Sequence, residues 1–174
     1  MKKVWCFILT FVCICLTLCS CGNVSKPAVK SKSFSVKIVY TLNGTQKSYV
    51  DTLNIKYKYQ LLTDDGWKNQ YSVKCENGDD KLVIYDFITN KGMEDFGYKD
   101  NMKASVYLDL GDINQYMLNT ADDYSKYTSF PDFTVLLNYD DDGECYIPMS
   151  SDAFYDAYGI NLSLDSVKIN EIDT

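Results

Sequence analysis

The amino-acid sequence predicts a mainly β fold: a single antiparallel, β-sandwich-like domain with two short helices. Apolar and polar residues alternate in several segments, which is the pattern of strands with one buried face. Turn-forming residues separate these segments about every 8 to 12 positions, as in all-β sandwiches. Two later segments change to the three-and-four spacing of helices. An α+β domain is the alternative that this mixture leaves open.

The opening segments show the clearest alternation. Apolar residues occupy every second position in residues 34–42 and again in residues 53–61. Asn43-Gly44 between them is a strong hairpin signal, because both central residues of a type I′ turn need a positive φ. Residues 67–75 predict a third strand. Residues 82–88 predict a fourth, which is apolar on both faces and therefore expected in the centre of a sheet.

Residues 104–110 predict a fifth strand, after which the spacing becomes helical. Asp112 is a good N-cap for this first helix, with Gln115 as its capping-box partner. The residues Ser129-Phe130-Pro131 break the helical segment. The apolar face of the helix is expected to consist of Ile113, Tyr116, Met117, Ala121 and Tyr124.

The remaining elements follow the same rules. Residues 133–139 and 145–147 predict a pair of strands, and residues 162–169 predict the last strand. Alternation in that last strand breaks near Asp165-Ser166. A second short helix is expected before it, because Gly159 supplies a left-handed stop of the kind that ends helices.

The start of the chain has the form of a secretory signal. Lys2 and Lys3 precede residues 4–18, which contain no charged residue. This apolar stretch is shorter than the roughly 20 residues that a spanning helix needs, so it predicts a signal peptide. An uncleaved membrane anchor is the alternative.

Leu18-Cys19-Ser20-Cys21 resembles the lipobox of bacterial lipoproteins, in which a small residue precedes the modified cysteine. The resemblance implies cleavage before Cys21, lipid on that cysteine and retention on the extracytoplasmic face of the cell membrane. We therefore expect a signal peptide at 1–20, a lipidated cysteine with a flexible lysine-rich tether at 21–33, and a single β-rich domain at 34–174.

Two cysteines, Cys75 and Cys145, belong to the exported domain. In an oxidising compartment such a pair is a candidate disulfide, which would stabilise the domain by about 4 kcal/mol in the chain-entropy model. Two separate buried thiols are the alternative.

Charge and composition exclude several functions. The net charge of −7 becomes −9 without Lys2 and Lys3, and residues 109–174 contain 14 acidic residues against two lysines. This excess of acid argues against nucleic acid as a partner. The chain has no histidine and no arginine, so it cannot build a histidine-based nucleophile or a histidine-ligated zinc site. Carboxylate-pair chemistry stays open, but no catalytic motif is present and we expect no enzyme.

Asn138, Asp140, Asp142 and Gly143 resemble the opening of a calcium loop. The match ends there, because Met149 occupies the position at which an EF-hand needs a bidentate glutamate. The preferred interpretation is a solvated hairpin turn without a cofactor. The alternative is a weak calcium site formed by Asn138, Asp140 and Asp142 with Glu144 or Asp132 as a further ligand.

The sequence contains 15 tyrosines, some of which fall on or beside the two helices. Exposed tyrosines suit contact with a glycan or a protein, because they offer rigid amphipathic area at low entropy cost. Packing in the core is the alternative for each of them. The candidate contact residues are Tyr116, Tyr124, Tyr155 and Tyr158.

These observations predict a membrane-anchored extracytoplasmic lipoprotein with a non-catalytic binding domain for a protein or glycan partner. A surface carbohydrate-binding or carbohydrate-active protein is one alternative. A structural component of the cell envelope is another.

Overall fold

The computed structural model describes residues 27–76, 81–89, 102–119, 121–139 and 143–172, which form two antiparallel sheets of four strands each. The strands are β1 (Ser31–Leu42), β2 (Thr45–Thr63), β3 (Gly66–Cys75), β4 (Leu82–Thr89), β5 (Met102–Leu108), β6 (Phe133–Tyr139), β7 (Gly143–Met149) and β8 (Leu162–Glu171). The helices are α1 (Ile113–Leu118) and α2 (Ser151–Tyr158), with a 3₁₀ turn at Ser125–Tyr127. The first sheet has the order β3-β2-β1-β8 and the second β4-β5-β6-β7. The mainly β, sandwich-like fold is as predicted.

Strand β1 lies inside the first sheet and pairs with β2 on one side and β8 on the other. Its alternating residues Phe34, Val36 and Ile38 are buried, as the sequence pattern predicts. The turn into β2 is formed by Asn43 and Gly44, whose φ angles are 50° and 79°. Both are positive, which is the geometry that an Asn-Gly hairpin turn requires.

Strand β2 extends beyond the sheet. β1 pairs with it only as far as Lys56, opposite Ser31, whereas β2 and β3 remain paired up to Thr63 and Gly66. The two strands therefore continue as a two-stranded ribbon. We refer to residues 58–70, with the turn at Asp64-Asp65, as the β2–β3 arm.

The core lies between the inner faces of the two sheets. Leu53 from the first sheet and Val135 and Leu137 from the second are fully buried. Phe154 of α2 adds an aromatic ring to this core, edge-on to Phe87 and Phe133 with ring centroids 5.5 and 5.3 Å away. Burial of these apolar side chains is the main stabilising contribution to such a fold.

Two predicted elements differ from the structure. The segment predicted as a central strand is β4, which lies at the edge of the second sheet. Its register shifts between Val83 and Tyr85, so the unbroken apolar run does not correspond to two covered faces. Phe87 packs against Phe154 of the core, whereas the next residue, Ile88, is 68% exposed.

The first helix is shorter than predicted. α1 ends at Leu118, where the C-cap Asn119 has extended backbone with φ −104° and ψ 156°. Ala121 and Tyr124 therefore lie in the following loop. The Tyr124 N–H donates to the Ile169 carbonyl of β8, so the loop is fastened to the sheet edge rather than wound into the helix.

The domain also begins before its predicted boundary at residue 34. β1 starts at Ser31, and the side chain of Lys32, which the sequence placed in the tether, is only 8% exposed. Its Nζ lies 2.9 Å from a Glu171 carboxylate oxygen and donates to the Asn119 carbonyl at 3.0 Å. Burial disfavours the charged ammonium and by itself lowers the pKa of Lys32. Hydrogen bonds to Glu171 and Tyr124 outweigh this effect, so the pKa of Lys32 is raised. Residues 1–26 lie outside the described part of the chain.

Among the described glycines, Gly111 makes a close approach to another part of the backbone. Its φ is 66°, and a Cβ atom there would lie 2.2 Å from the Tyr127 carbonyl oxygen. We expect Gly111→Ala to lower the free energy of unfolding by about 3 kcal/mol, because strain and a backbone clash add. Urea denaturation measures this change.

The matched control for that substitution is Gly159→Ala. Gly159 has nearly the same φ of 68°, but a Cβ there would meet nothing within 4 Å. The Gly159→Ala substitution should lower the free energy of unfolding by only about 1 kcal/mol, which is the cost of a left-handed conformation alone. Equal losses for the two variants would contradict the close approach at Gly111.

Tyr116 and Tyr124 allow a second comparison, because both rings are fully buried but their hydroxyls differ. The Tyr124 hydroxyl lies 2.8 Å from both the Asn119 carbonyl oxygen and a Glu171 carboxylate oxygen, either of which can accept its proton. The Tyr116 hydroxyl finds no partner in the described part of the chain. Tyr116→Phe should therefore leave the free energy of unfolding unchanged or raise it by up to about 1 kcal/mol, whereas Tyr124→Phe should lower it by about 1 to 2 kcal/mol. Equal losses in urea denaturation would show that Tyr116 has a partner.

Candidate functional site

A recess of about 280 Å³ opens where the end of β1, the start of β8 and one face of α2 meet. Its lining is mostly polar and contains one large aromatic ring. The lining residues are Thr41, Ser151, Asp152, Tyr155, Asn161, Leu162 and Ser163.

The floor of the recess is built by the β1–β8 pairing. Thr41 and Ser163 face each other in the register of these strands. Beside them, the Asn43 N–H donates to the Asn161 carbonyl at 2.8 Å, and the Asn161 N–H donates to Asn43 Oδ1 at 3.1 Å. This reciprocal pair ties the loop before β8 to the first hairpin turn, so the floor is fixed by backbone contacts.

A bulge in β8 orients the floor hydroxyls. The pairing of β1 with β8 shifts between Val39 and Tyr40, which leaves Asp165 without a partner in the register. Its carboxylate accepts hydrogen bonds from Thr41 Oγ1 at 2.8 Å and Ser163 Oγ at 3.2 Å. The Thr41 hydrogen bond contributes most to the lowered pKa of Asp165. Because both hydroxyls donate to Asp165, their oxygens remain able to accept hydrogen bonds in the recess.

Helix α2 supplies the wall. Ser150 caps the helix by accepting from the Ala153 N–H at 3.3 Å. Phe154 is fully buried and fixes the rotation of the helix on the core. Asp152 and Tyr155, which are three residues apart and so share a helix face, therefore point away from the core. The Tyr155 ring is 50% exposed at the recess.

The arrangement is suited to binding a neutral polar molecule. Asn161 offers an amide, Thr41 and Ser163 offer acceptors, and the Tyr155 ring offers an apolar face. Asp152 is the one carboxylate among the described residues that line the recess. Hydrolysis by a pair of carboxylates would need a second acid facing Asp152.

Of the four tyrosines predicted to contact a ligand, only Tyr155 lines the recess. The prediction is wrong for Tyr116 and Tyr124, which are fully buried and stack on each other with ring centroids 5.6 Å apart. Both also meet the edge of Phe34, so their helical spacing reflects core packing. Tyr158 is half-buried against Phe87, and burial raises the pKa of Tyr158.

The predicted disulfide is not formed. Cys75 ends β3 in the first sheet and Cys145 lies on β7 in the second, and both are thiols. The Cys75 Sγ–H donates to the Lys81 carbonyl at 3.5 Å. The two thiols are therefore separate, but the alternative of two buried thiols holds only for Cys75, because Cys145 is partly exposed.

Only some of the predicted calcium ligands belong to the described residues. Asn138 and Glu144 face each other across β6 and β7, whereas Asp140 and Asp142 lie outside the described residues. The Glu144 carboxylate accepts from the Tyr146 hydroxyl and lies 3.8 Å from Lys81 Nζ. A cation would compete with these contacts. In the described ranges no three acidic or cysteine side chains cluster as metal ligands, and a calcium site stays a prediction.

The sequence analysis did not identify most of the recess. It located the alternation break at Asp165-Ser166 and the stop at Gly159, which frame the site locally. It did not single out Thr41, Asp152 or Asn161, because no spacing rule shows that residues far apart in the chain converge. The Thr41–Asp165 hydrogen bond, for example, joins residues that are 124 positions apart in the sequence.

Comparison with known proteins assigns no family to this chain. No family model matches the sequence, and neither a curated protein nor a solved structure matches it. Within the described ranges, none of the helices is long and apolar enough to cross a membrane.

Proposed function

We propose that this protein is a non-catalytic binding lipoprotein, displayed outside the cell membrane by lipid on Cys21, and that its recess binds one sugar unit of a glycan. The observation that carries the proposal is the exposed Tyr155 ring beside an amide, a carboxylate and hydroxyls in one recess.

The chemistry of the lining fits a sugar better than a charged ligand. A pyranose presents hydroxyls that both donate and accept, and a C–H face that packs on an aromatic ring. The Asp152 carboxylate and the Asn161 side-chain carbonyl can accept hydrogen bonds from sugar hydroxyls. The Thr41 hydroxyl oxygen can also accept one. The volume of about 280 Å³ is at the lower end of small-molecule sites, which suits one sugar unit rather than a long chain.

The proposal of lipid anchoring rests on the sequence motif at Cys21. The structure adds a constraint on the tether, because β1 begins at Ser31. A lipidated Cys21 would then be separated from the first strand by about 10 residues. The domain would stand close to the membrane surface instead of at the end of a long linker.

The sugar proposal predicts a specific loss of binding on Tyr155→Ala. We expect about tenfold weaker binding, which corresponds to about 1.4 kcal/mol, because the ring supplies the apolar contact. The measurement is saturation-transfer NMR titration of the full chain with methyl glycosides of glucose, galactose, mannose and N-acetylglucosamine.

Tyr146→Ala is the matched control, since Tyr146 is 45% exposed but lies on β7 outside the recess. It should leave binding unchanged. Binding of no glycoside by the unsubstituted chain, or equal losses for the two variants, would contradict the sugar proposal.

The anchor proposal predicts that Cys21→Ala abolishes incorporation of labelled fatty acid and releases the protein from the membrane fraction. Cys19→Ala, two residues earlier in the same motif, is the control and should remain labelled and membrane-bound. Retention of the unlabelled Cys21→Ala protein in the membrane would instead favour an uncleaved N-terminal anchor.

A further inference from the structure

We propose that the β2–β3 arm rests in the membrane interface and orients the domain so that the recess faces away from the membrane. This inference rests on the proposed lipid anchor at Cys21. It goes beyond that anchor, because it assigns a lipid-contacting surface to the folded domain and gives the domain a defined orientation.

The arm exposes a concentrated set of large apolar side chains. Leu62 and Trp67 face each other across the two strands and are 61% and 44% exposed. Tyr59 and Leu61 occupy the other face and are about half exposed. The arm therefore carries four exposed large apolar residues within 13 positions of the chain, on a ribbon that lies beyond the pairing of β1 with β2.

The composition of the arm suits the headgroup region rather than water or hydrocarbon. Tryptophan and tyrosine are enriched at membrane interfaces, where one end of the ring is apolar and the other wet. Asp64 and Asp65 at the turn, the latter 2.9 Å from Lys68 Nζ, disfavour insertion into the hydrocarbon core. The arm would thus lie along the interface without spanning it.

The lysines near the arm add attraction to anionic lipid. Lys56 and Lys58 are exposed on β2, and Lys30 is exposed beside them. Lysines close to an anionic surface are attracted to it. Apolar contact and charge therefore favour the same surface.

The path of the chain places the arm on the anchored side. The Tyr57 N–H donates to the Lys30 carbonyl at 2.8 Å, so the polypeptide that leads back to Cys21 leaves the sheet beside the base of the arm. From Lys30 to Cys21 the chain can span at most about 30 Å. The arm itself extends about 20 Å from Tyr57 to Thr63. A lipid on Cys21 therefore keeps the arm within reach of the bilayer.

The recess lies at the opposite end of the same strand. Thr41 is near the end of β1 and Ser31 is at its start, which separates them by roughly 33 Å at the rise of a β-strand. Contact of the arm with the membrane would therefore direct the recess outward, where a glycan is accessible.

Trp67 provides a direct probe. Of the two tryptophans in the sequence, cleavage before Cys21 removes Trp5 and leaves Trp67, and the Trp5→Phe substitution also keeps any uncleaved protein from contributing a second signal. The lipidated protein, reconstituted in vesicles of phosphatidylethanolamine and phosphatidylglycerol, is compared with and without bromine on the upper acyl chain. We expect bromine to reduce Trp67 emission by about twofold, since an interfacial ring lies near the first acyl carbons.

Leu62→Asp tests the arm, and Ile88→Asp is its matched control, because Ile88 is 68% exposed but lies on β4. In the same Trp5→Phe background, Leu62→Asp should abolish the quenching and Ile88→Asp should retain it. Neither substitution should alter binding of the methyl glycosides.

The outcomes separate this inference from the proposed function. Vesicle-bound protein with unquenched Trp67 overturns the arm proposal and leaves the anchor and the sugar site standing. Protein that does not enter vesicles at all overturns the anchor and the arm proposal together. If Trp67 is unquenched and Leu62→Asp converts a dimer in detergent to a monomer, the arm is an interface with a second copy and the proposal is wrong.

Discussion

The antiparallel pairing of β1 with both β2 and β8 is the constraint on which the other features depend. One face of β1 contributes Phe34, Val36 and Ile38 to the core, so the strand cannot slip by a residue without exposing all of them. Its register then decides what lies at each end. At the start it sets the base of the β2–β3 arm, and at the end it sets Thr41 opposite Ser163.

The two ends of β1 are stabilised in different ways. At the start, Lys32 donates to Glu171 and to the Asn119 carbonyl, with the Lys32 side chain 8% and the Glu171 side chain 32% exposed. Solvent reaches the carboxylate, so this pair is partly screened. At the other end, Asn43 and Asn161 exchange two hydrogen bonds that involve backbone groups on both sides. The first contact closes the sheet at its edge, whereas the second shapes a recess that remains open to solvent.

Local signals in the sequence predicted the elements well and their surroundings poorly. Alternation in residues 34–42 and the Asn43-Gly44 turn predicted β1 and its hairpin, because both depend on neighbouring residues. The break near Asp165-Ser166 corresponds to the bulge that orients the floor of the recess. The edge position of β4 could not be predicted, since a run of apolar residues does not show which of them face solvent, and Ile88 of β4 is 68% exposed.

The tyrosines show why the residues of the recess could not be identified without the three-dimensional structure. Tyr116 and Tyr155 both lie on short helices next to apolar neighbours, and nothing in their local sequence separates a buried ring from an exposed one. The difference arises from how each helix is rotated on the core. In α2, Phe154 occupies the space between Phe87 and Phe133, and the residue that follows it must then point about 100° away around the helix. Tyr155 is exposed for that reason, and the start of β8 lies beside it. A ring exposed by such a constraint, next to hydroxyls that donate to Asp165, gives the recess a preformed lining, so a molecule bound there would not have to supply the ordering of these groups.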